Sequence, residues 1–152
     1  MPMFVTLPVR DLAASAAWYE AAGFVVLATM HSPAAPDGPP VLVHLRRLRF
    51  QDLLLVPGEP IPGPQITFMA GEDDIDARAE LLAAHLARHP SAAGDADRRR
   101  VTGPTDTPWY TRDLVLIDPD GYAVVLTAAR QADLPQDDRW RASVEESVGR
   151  RP

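Results

Sequence analysis

The strongest constraint on the fold of this chain is an order of elements that occurs twice. Apolar periodicity in the first half predicts a strand, a helix and three more strands, at 3–9, 12–22, 24–30, 41–48 and 50–58. Four prolines and one glycine predict a loop over 31–40, and the Pro/Gly-rich segment 57–64 predicts a linker. The first half is therefore expected to fold as one strand–helix–strand–strand–strand unit.

The second half repeats this order. It predicts a strand, a helix and three more strands, the strands at 65–71, 98–103, 109–118 and 121–129. Asp73 or Asp74 is expected to cap the helix at its N-terminus. The apolar face of that helix consists of Ile75, Ala79, Leu82 and Leu86.

Short segments of the two halves also match each other in type. Residues 5–7 (Val-Thr-Leu) align with 66–68 (Ile-Thr-Phe), and 11–12 (Asp-Leu) align with 74–75 (Asp-Ile). An internal duplication accounts for both the repeated order and these matches.

The duplication predicts a single domain over 1–130 that is built from two modules, 3–57 and 64–128. The tail 131–152 is polar, and it is expected either to form a short helix or to fray.

Composition excludes several classes of function. The chain has 152 residues, 46% of them apolar, which is enough for one domain with a buried core. The absence of cysteine excludes disulfides and thiolate chemistry, and the absence of lysine excludes a lysine Schiff base. A net charge of −6 argues against a nucleic-acid partner. No segment predicts a membrane span or an export signal, so a cytoplasmic location is expected.

Two segments resemble a known superfamily. "LPVRDLAASAAWYEAAGF" and "PWYTRDLVLIDPDGYAVVL" are similar to the vicinal oxygen chelate superfamily, which includes glyoxalase I, extradiol dioxygenases and bleomycin-resistance proteins. The resemblance covers residues 3–128. It implies an α+β fold in which two βαβββ modules form an eight-stranded, incompletely closed sheet around a cleft, with the helices outside.

Metal-using members of this superfamily place His, Glu or Gln on four strands. The resemblance puts these positions at Phe4, Leu53 or Leu54, Gln65 and Val125. Three of the four side chains are hydrocarbons without a lone pair, so neither a metal site nor a cofactor is expected. A shifted register at the second position would bring in Gln51 or Asp52.

The missing ligands make the chain similar to the bleomycin-resistance branch, whose members sequester a drug in a groove between two subunits. Trp109 stands where those proteins have a tryptophan in the binding region, and Tyr110 replaces a glycine that is usual there. The resemblance implies a metal-free homodimer that binds and sequesters an antibiotic-like aromatic or heterocyclic molecule. The alternative is a glyoxalase- or dioxygenase-like enzyme that acts on a small organic substrate.

Eleven residues are candidates for ligand contact, on strands expected to line the cleft or at its rim. They are Phe4, Thr6, His44, Leu53, Gln65, Thr67, Trp109, Tyr110, Arg112, Ala123 and Val125. The two-residue period of a strand puts Ala123 and Val125 on one face. Aromatic rings such as that of Trp109 offer a large, rigid contact area. His44 and Tyr110 are also candidates for catalysis, and a surface position is the alternative for His44.

Four aromatic or imidazole side chains have a structural explanation. Trp18 and Tyr19 lie on the first predicted helix and are expected to pack in the core. His85 and His89 have a spacing that can bind a metal, but a position near the C-terminus of a helix explains both.

Charged residues near the second half's last two strands also have structural explanations. Asp118 and Asp120 belong to an Asp-Pro-Asp-Gly sequence, in which turn formation accounts for both carboxylates. Arg112 either holds an anionic group of the ligand or forms a salt bridge with Asp106 or Asp113.

Overall fold

A computed structural model describes residues 3–49, 51–71, 74–90 and 98–130. The first module contains β1 (Met3–Val9), α1 (Leu12–Ala21), β2 (Val25–Ser32), β3 (Ala35–Arg47) and β4 (Gln51–Pro57). The second contains β5 (Ile66–Met69), α2 (Ile75–Arg88), β6 (Arg100–Asp106), β7 (Thr111–Ile117) and β8 (Ala123–Ala129). The repeated order predicted from the sequence is confirmed. The predicted tail 131–152 lies outside the described residues.

Each module forms its own four-stranded sheet. The strand order is β1-β4-β3-β2 in the first sheet and β5-β8-β7-β6 in the second. The pairs β1·β4 and β5·β8 are parallel, and the other pairs are antiparallel. The two sheets do not close into a barrel. The fold is therefore the α+β arrangement of two βαβββ modules that the sequence predicts. Neither of the two described helices is long and apolar enough to cross a membrane.

Equivalent aspartates begin the two helices. An Asp11 carboxylate oxygen accepts hydrogen bonds from the backbone N–H groups of Ala13 and Ala14, at 2.9 and 3.0 Å. Asp74 caps α2 in the same way, so of the two predicted caps Asp74 is the one used. Each cap satisfies N–H groups that lack a partner within the helix. The duplication therefore preserves the local signal that starts each helix.

Both helices pack on the same side of their sheets, where the core lies. Fully buried core residues come from the two sheets and from the helices: Val9, Leu45, Leu53, Leu55, Leu114, Leu116, Val124, Leu126, Trp18, Tyr19 and Leu82. The predicted core positions of Trp18 and Tyr19 are confirmed. Because side chains alternate along a strand, the intervening residues point away from the helices. We call that surface the helix-free face; its members include Phe4, Thr6, His44, Arg46, Asp52, Leu54, Thr67, Asp113, Val115, Ile117, Ala123, Val125 and Thr127.

The loop predicted over 31–40 is wrong. β2 continues to Ser32 and β3 already begins at Ala35, so the connection is only a tight turn. Pro33 lies in that turn, and the other three prolines lie in the part of β3 that extends beyond β4, whose pairing with β3 starts at Val43. A proline lacks a backbone N–H, but on a strand segment with a single neighbour that loss is tolerated. Register shifts near His31 adapt the pairing with β2.

Long-range hydrogen bonds join the two modules, and two sets of them lie at the ends of the boundary between the sheets. At the end of β3, the Arg47 guanidinium donates to the backbone carbonyls of Met69 and Ala70, at 2.6 and 3.0 Å. At the other end of the boundary the Tyr122 hydroxyl donates to the Pro8 carbonyl at 2.9 Å. We call the boundary between the two modules the seam, and these contacts fix both of its ends.

The Asp-Pro-Asp-Gly turn also connects the modules. Asp118 is fully buried and accepts a hydrogen bond from the Tyr19 hydroxyl at 2.9 Å, while burial raises the pKa of the Asp118 carboxyl. Asp120 accepts from the backbone N–H and the guanidinium of Arg10, at 3.1 and 3.2 Å. Gly121 has a φ of 95°, which a glycine adopts without strain. The predicted turn role of these residues is confirmed.

Candidate ligand-binding site

Strand register arranges the helix-free face into rows. One row of the first sheet crosses β1, β4 and β3 at Thr6, Leu54 and His44. The equivalent row of the second sheet crosses β5, β8 and β7 at Thr67, Val125 and Val115. Leu54 and Val125 therefore occupy equivalent positions in the two modules. Val125 is 1% exposed and would form the floor of a site rather than its wall.

The next row along the strands differs more strongly between the sheets. In the first sheet it contains Phe4, Asp52 and Arg46. In the second sheet it contains Ala123, Ile117 and Arg100, on β8, β7 and β6. Predicted ligand residues therefore fall into adjacent rows of both sheets, as the two-residue period requires.

A buried carboxylate organises the first sheet's part of this surface. Asp52 is fully buried, and its Oδ1 lies 2.8 Å from His44 Nε2 and 2.7 Å from Arg46 Nε. The hydrogen bond from Arg46 holds the pKa of the Asp52 carboxyl below its usual range. The His44 ring also packs against Phe4, with centroids 5.8 Å apart. We call Asp52, His44 and Arg46 the Asp52 cluster.

The Asp52 cluster fixes the orientation of His44. A neutral imidazole that donates from Nε2 to the carboxylate leaves Nδ1 as a hydrogen-bond acceptor. Sequence reasoning singled out His44, but it treated Asp52 only as the product of a shifted register. Asp52 and Leu54 are two residues apart on one strand and so share a face. That spacing was the signal that could have placed Asp52 beside His44.

A second polar group lies on the second sheet and was missed by sequence reasoning. Asp113 Oδ1 accepts hydrogen bonds from the hydroxyls of Thr111 and Thr127, at 2.8 and 2.6 Å. We call these three residues the Asp113 cluster. Its partners are neutral hydroxyls, whereas Asp52 binds a guanidinium. Asp113, Val115 and Ile117 are successive alternate residues of β7, so all three lie on the helix-free face.

The two clusters lie at the same end of the seam. Met69 pairs with Thr127 of the Asp113 cluster. The Met69 carbonyl accepts a hydrogen bond from Gln51 Nε2 at 3.1 Å, and Gln51 directly precedes Asp52. The chain segments that carry the two clusters are therefore hydrogen-bonded to each other at this end.

Trp109 and Tyr110 form the tip of the hairpin between β6 and β7. Their side chains are 66% and 41% exposed, and the turn is closed by a hydrogen bond from the Thr107 N–H to the Thr111 carbonyl at 2.8 Å. Tyr110 has a φ of 63°, a conformation that glycine adopts easily. This explains physically why the resemblance implies a glycine at this position. The hairpin tip lies at the same end of the second sheet as the Asp113 cluster.

A cavity of about 440 Å³ opens at the seam. Two predicted ligand residues, Thr6 and Gln65, line it together with Pro8, Ile61 and Tyr122. The Tyr122 hydroxyl, which binds Pro8, also accepts a hydrogen bond from the Ile61 N–H at 2.9 Å and so fixes the linker over the cavity.

Two predicted ligand residues lie on the helix side instead. Leu53 is fully buried in the core, because the register places its neighbour Leu54 on the helix-free face. Arg112 binds Asp76 of α2, at 2.6 and 3.0 Å, and Asp106 at 2.7 Å. Hydrogen bonds from these carboxylates raise the pKa of Arg112. The expected ion pair with Asp106 is present, and both residues are removed from the candidate surface.

The metal positions of the superfamily do not suit a metal ion in this chain. In the observed register they are occupied by Phe4, Leu54, Gln65 and Val125. Only one of these side chains carries a donor oxygen, and a divalent ion needs several that converge. Among the residues that the structure describes, no group of three His, Cys, Asp or Glu side chains could hold a metal ion.

His85 and His89 pack as rings at the end of α2. Their centroids are 4.7 Å apart, and His85 also lies edge-on to Trp18 at 6.0 Å. Burial lowers the pKa of His85, which favours its neutral form. Packing therefore explains His85 better than the expected attraction of a charged ring to the helix dipole.

Comparisons with known proteins identify the fold. Neither the protein-family models nor the curated proteins searched match this chain. Solved structures do match, and three are an antibiotic-binding protein, TnmS3, from a Streptomyces species, a bleomycin resistance determinant encoded on the transposon Tn5, and a glyoxalase-related enzyme from Clostridium phytofermentans. Their identities to this chain are 23%, 19% and 16%, with TM-scores of 0.58, 0.57 and 0.58.

The coverage of these matches is nearly complete. Each of the three covers 85% of this chain, and this chain covers 95%, 98% and 95% of theirs. All three have the fold of the vicinal oxygen chelate superfamily. This chain therefore has that fold, as its two motif segments predict.

Proposed function

We propose that this protein binds and sequesters an aromatic or heterocyclic, antibiotic-like molecule without a metal ion. The observation that carries the proposal is the aliphatic row of Val125 and Val115 on the helix-free face, at a position where chelating members hold a metal. An apolar floor with a few fixed polar groups is typical of sites for small organic ligands. The names of two structural neighbours, an antibiotic-binding protein and a bleomycin resistance determinant, support the same class of ligand.

The polar groups sit where they would orient such a ligand. The Asp52 cluster and the Asp113 cluster face one end of the seam, and each is held rigidly by its own hydrogen bonds. Trp109 has an exposed ring at the hairpin tip, two residues before Thr111 of the Asp113 cluster, and an exposed ring can stack on a flat molecule. The ligand would therefore lie on Val115, which pairs with the buried Val125, with its polar groups toward His44 and one end toward Trp109.

The proposal is tested by a ligand search followed by a variant. A mixed library of aromatic and peptidic antibiotics is screened by tryptophan fluorescence, and affinities are then measured by calorimetry. Trp109→Ala should weaken binding by about 1–3 kcal/mol, the loss expected for a stacking anchor, with the fold intact. Trp109→Phe keeps a ring and should retain most of the affinity. If no compound binds, the proposal fails; if Trp109→Ala binds normally, the rim assignment fails.

The protein is also proposed to act as a homodimer. β2 is an edge strand of the first sheet and exposes Val25, Leu27 and Met30, of which Val25 is 61% exposed. An apolar edge strand of this kind is commonly covered by a partner. Sedimentation at about ten micromolar, a concentration typical for stable dimers, should show a dimer; a monomer would contradict this.

One observation favours a second candidate, an enzyme of the same superfamily. The 2.8 Å contact between His44 Nε2 and Asp52 orients an imidazole as an acid or base would require. A bound compound recovered unchanged by mass spectrometry supports sequestration. A compound that is chemically altered, and no longer altered by His44→Gln, supports the enzyme.

A further inference from the structure

A cavity of about 500 Å³ near the outer edge of the second sheet is lined mainly by arginine. Its lining residues are Arg98, Arg99, Arg100, Ile117 and Gly121. None of these lines the cavity at the seam. In a chain with a net charge of −6, three consecutive arginines around one cavity are not explained by overall composition.

Among the residues that the structure describes, the two carboxylates of the turn beside this cavity are already bound elsewhere. Asp118 accepts hydrogen bonds from the Tyr19 hydroxyl and from backbone N–H groups within its own turn. Asp120 is 3% exposed and binds Arg10. Neither carboxylate lines the cavity, so the turn beside it adds no negative charge to its wall.

Two of the three arginines lie where their guanidinium groups can bind a molecule in the cavity. Arg100 pairs with Ile117 on the helix-free face, and Arg98 lies across the turn at Gly121, where a Cβ atom would be 3.0 Å from the Arg98 side chain. Arg99 points elsewhere, since its Nη2 donates to the His89 carbonyl at 2.8 Å. Among the described residues, no carboxylate forms a salt bridge with Arg98 or Arg100.

The cavity continues the candidate site. Arg100, Ile117 and Ala123 form one row, and Val125 lies one step further along β8. Two strand spacings, about 10 Å, separate Arg100 from Ala123. A two-ring aromatic molecule spans such a distance. In the equivalent row of the first sheet Arg46 has the carboxylate of Asp52 beside it, whereas the second sheet supplies Ala123.

We propose that Arg98 and Arg100 bind the anionic group of the ligand while the adjoining aromatic part lies on Ile117 and Ala123. The group is a carboxylate, sulfonate, sulfate or phosphate, because a guanidinium donates two parallel hydrogen bonds to such oxyanions. The inference rests on the proposed function and narrows its ligand to an acidic aromatic compound. The missing carboxylate of the second sheet is then supplied by the ligand itself.

The test compares matched probes by calorimetry on the full chain: 2-naphthalenesulfonate, the neutral 2-naphthalenemethanol, and inorganic sulfate. The sulfonate should bind at least about tenfold more tightly than the alcohol, as charge-assisted hydrogen bonds predict. The double variant Arg98→Gln/Arg100→Gln should lose that preference and keep the alcohol's affinity. Arg88→Gln, on the exposed surface of α2, is the control and should keep the preference.

Each contrary result has a distinct meaning. Equal affinity for both naphthalene probes, or a preference that survives in the double variant, overturns this inference and leaves the proposed function standing. Sulfate that binds as tightly as the sulfonate overturns it as well, because the cavity then serves free oxyanions. Binding of neither naphthalene probe counts against the inference and the proposed function together.

Discussion

The two modules share a framework and differ in what they present on the helix-free face. Equivalent positions hold His44, Arg46 and Asp52 in the first sheet but Val115, Ile117 and Ala123 in the second. The helix caps Asp11 and Asp74, by contrast, are the same residue with the same hydrogen bonds. Folding requires caps and a core in each module, whereas nothing in the fold requires a particular helix-free face. The divergence therefore favours that face as the location of the proposed binding site.

The two sheets therefore present different chemistry on the helix-free face. Charges of the first sheet are paired with each other and form a rigid polar wall. The centre of the second sheet is aliphatic, and its cations lie at the edge strand. A ligand would find fixed polar partners on one side and an apolar surface on the other.

The largest effect is expected from placing the same charge at the equivalent position of each sheet. Val125→Glu puts a carboxylate at a fully buried aliphatic position and should lower the free energy of unfolding by about 3–5 kcal/mol. Leu54→Glu lies directly across from His44 and next to the row of Arg46, so it should cost at least about 1 kcal/mol less. Urea unfolding at pH 7 measures both.

The control for this comparison is Val125→Gln, which has the size of the glutamate without its charge. It should recover part of the loss at this position. Equal losses for Val125→Glu and Leu54→Glu would mean that the first sheet's cations do not distinguish the two faces.

A smaller effect is expected from removing the carboxylate of each cluster. Asp52→Ala leaves His44 and Arg46 without their shared partner and should lower the free energy of unfolding by about 1–3 kcal/mol. Asp113→Ala removes hydrogen bonds from two neutral hydroxyls and should cost about 1 kcal/mol. A larger loss for Asp113→Ala would reverse the ranking of the two clusters.

The smallest effect is the dependence of this difference on pH. The pKa of Asp52 is lowered by Arg46 from its ordinary value of 3.8, so the carboxylate stabilises the folded state above that value. Its contribution is lost as the pH falls below 3.8 and through the lowered pKa. The stability gap between the native protein and Asp52→Asn should therefore not shrink between neutral pH and about pH 5, and it should shrink below pH 4. A gap that shrinks between pH 7 and pH 5 would contradict the assignment.

The fold and part of the helix-free face could be predicted from the sequence. Alternation along β8 correctly placed Ala123 and Val125 on one side, because the strand period is a local property. The same rule failed at Leu53, since the choice between Leu53 and Leu54 depends on pairing with another strand. A shift of one residue moves every side chain of a strand to the opposite face. The prolines of 31–40 led to the wrong prediction of a loop for a similar reason. Prolines are tolerated in a strand only where it lacks a second neighbour, and that depends on strand pairing.

The sequence by itself determined the repeated order of elements, the helix caps and the Asp-Pro-Asp-Gly turn, because each is set by residues within a few positions of one another. Only the tertiary structure decided which polar groups meet. His44 reaches Asp52 through the register of β3 with β4, and Tyr19 reaches Asp118 across 99 positions of the chain. Arg10 and Asp120 are 110 positions apart. Contacts of this kind follow from strand register and from the packing of two modules, which no local pattern specifies.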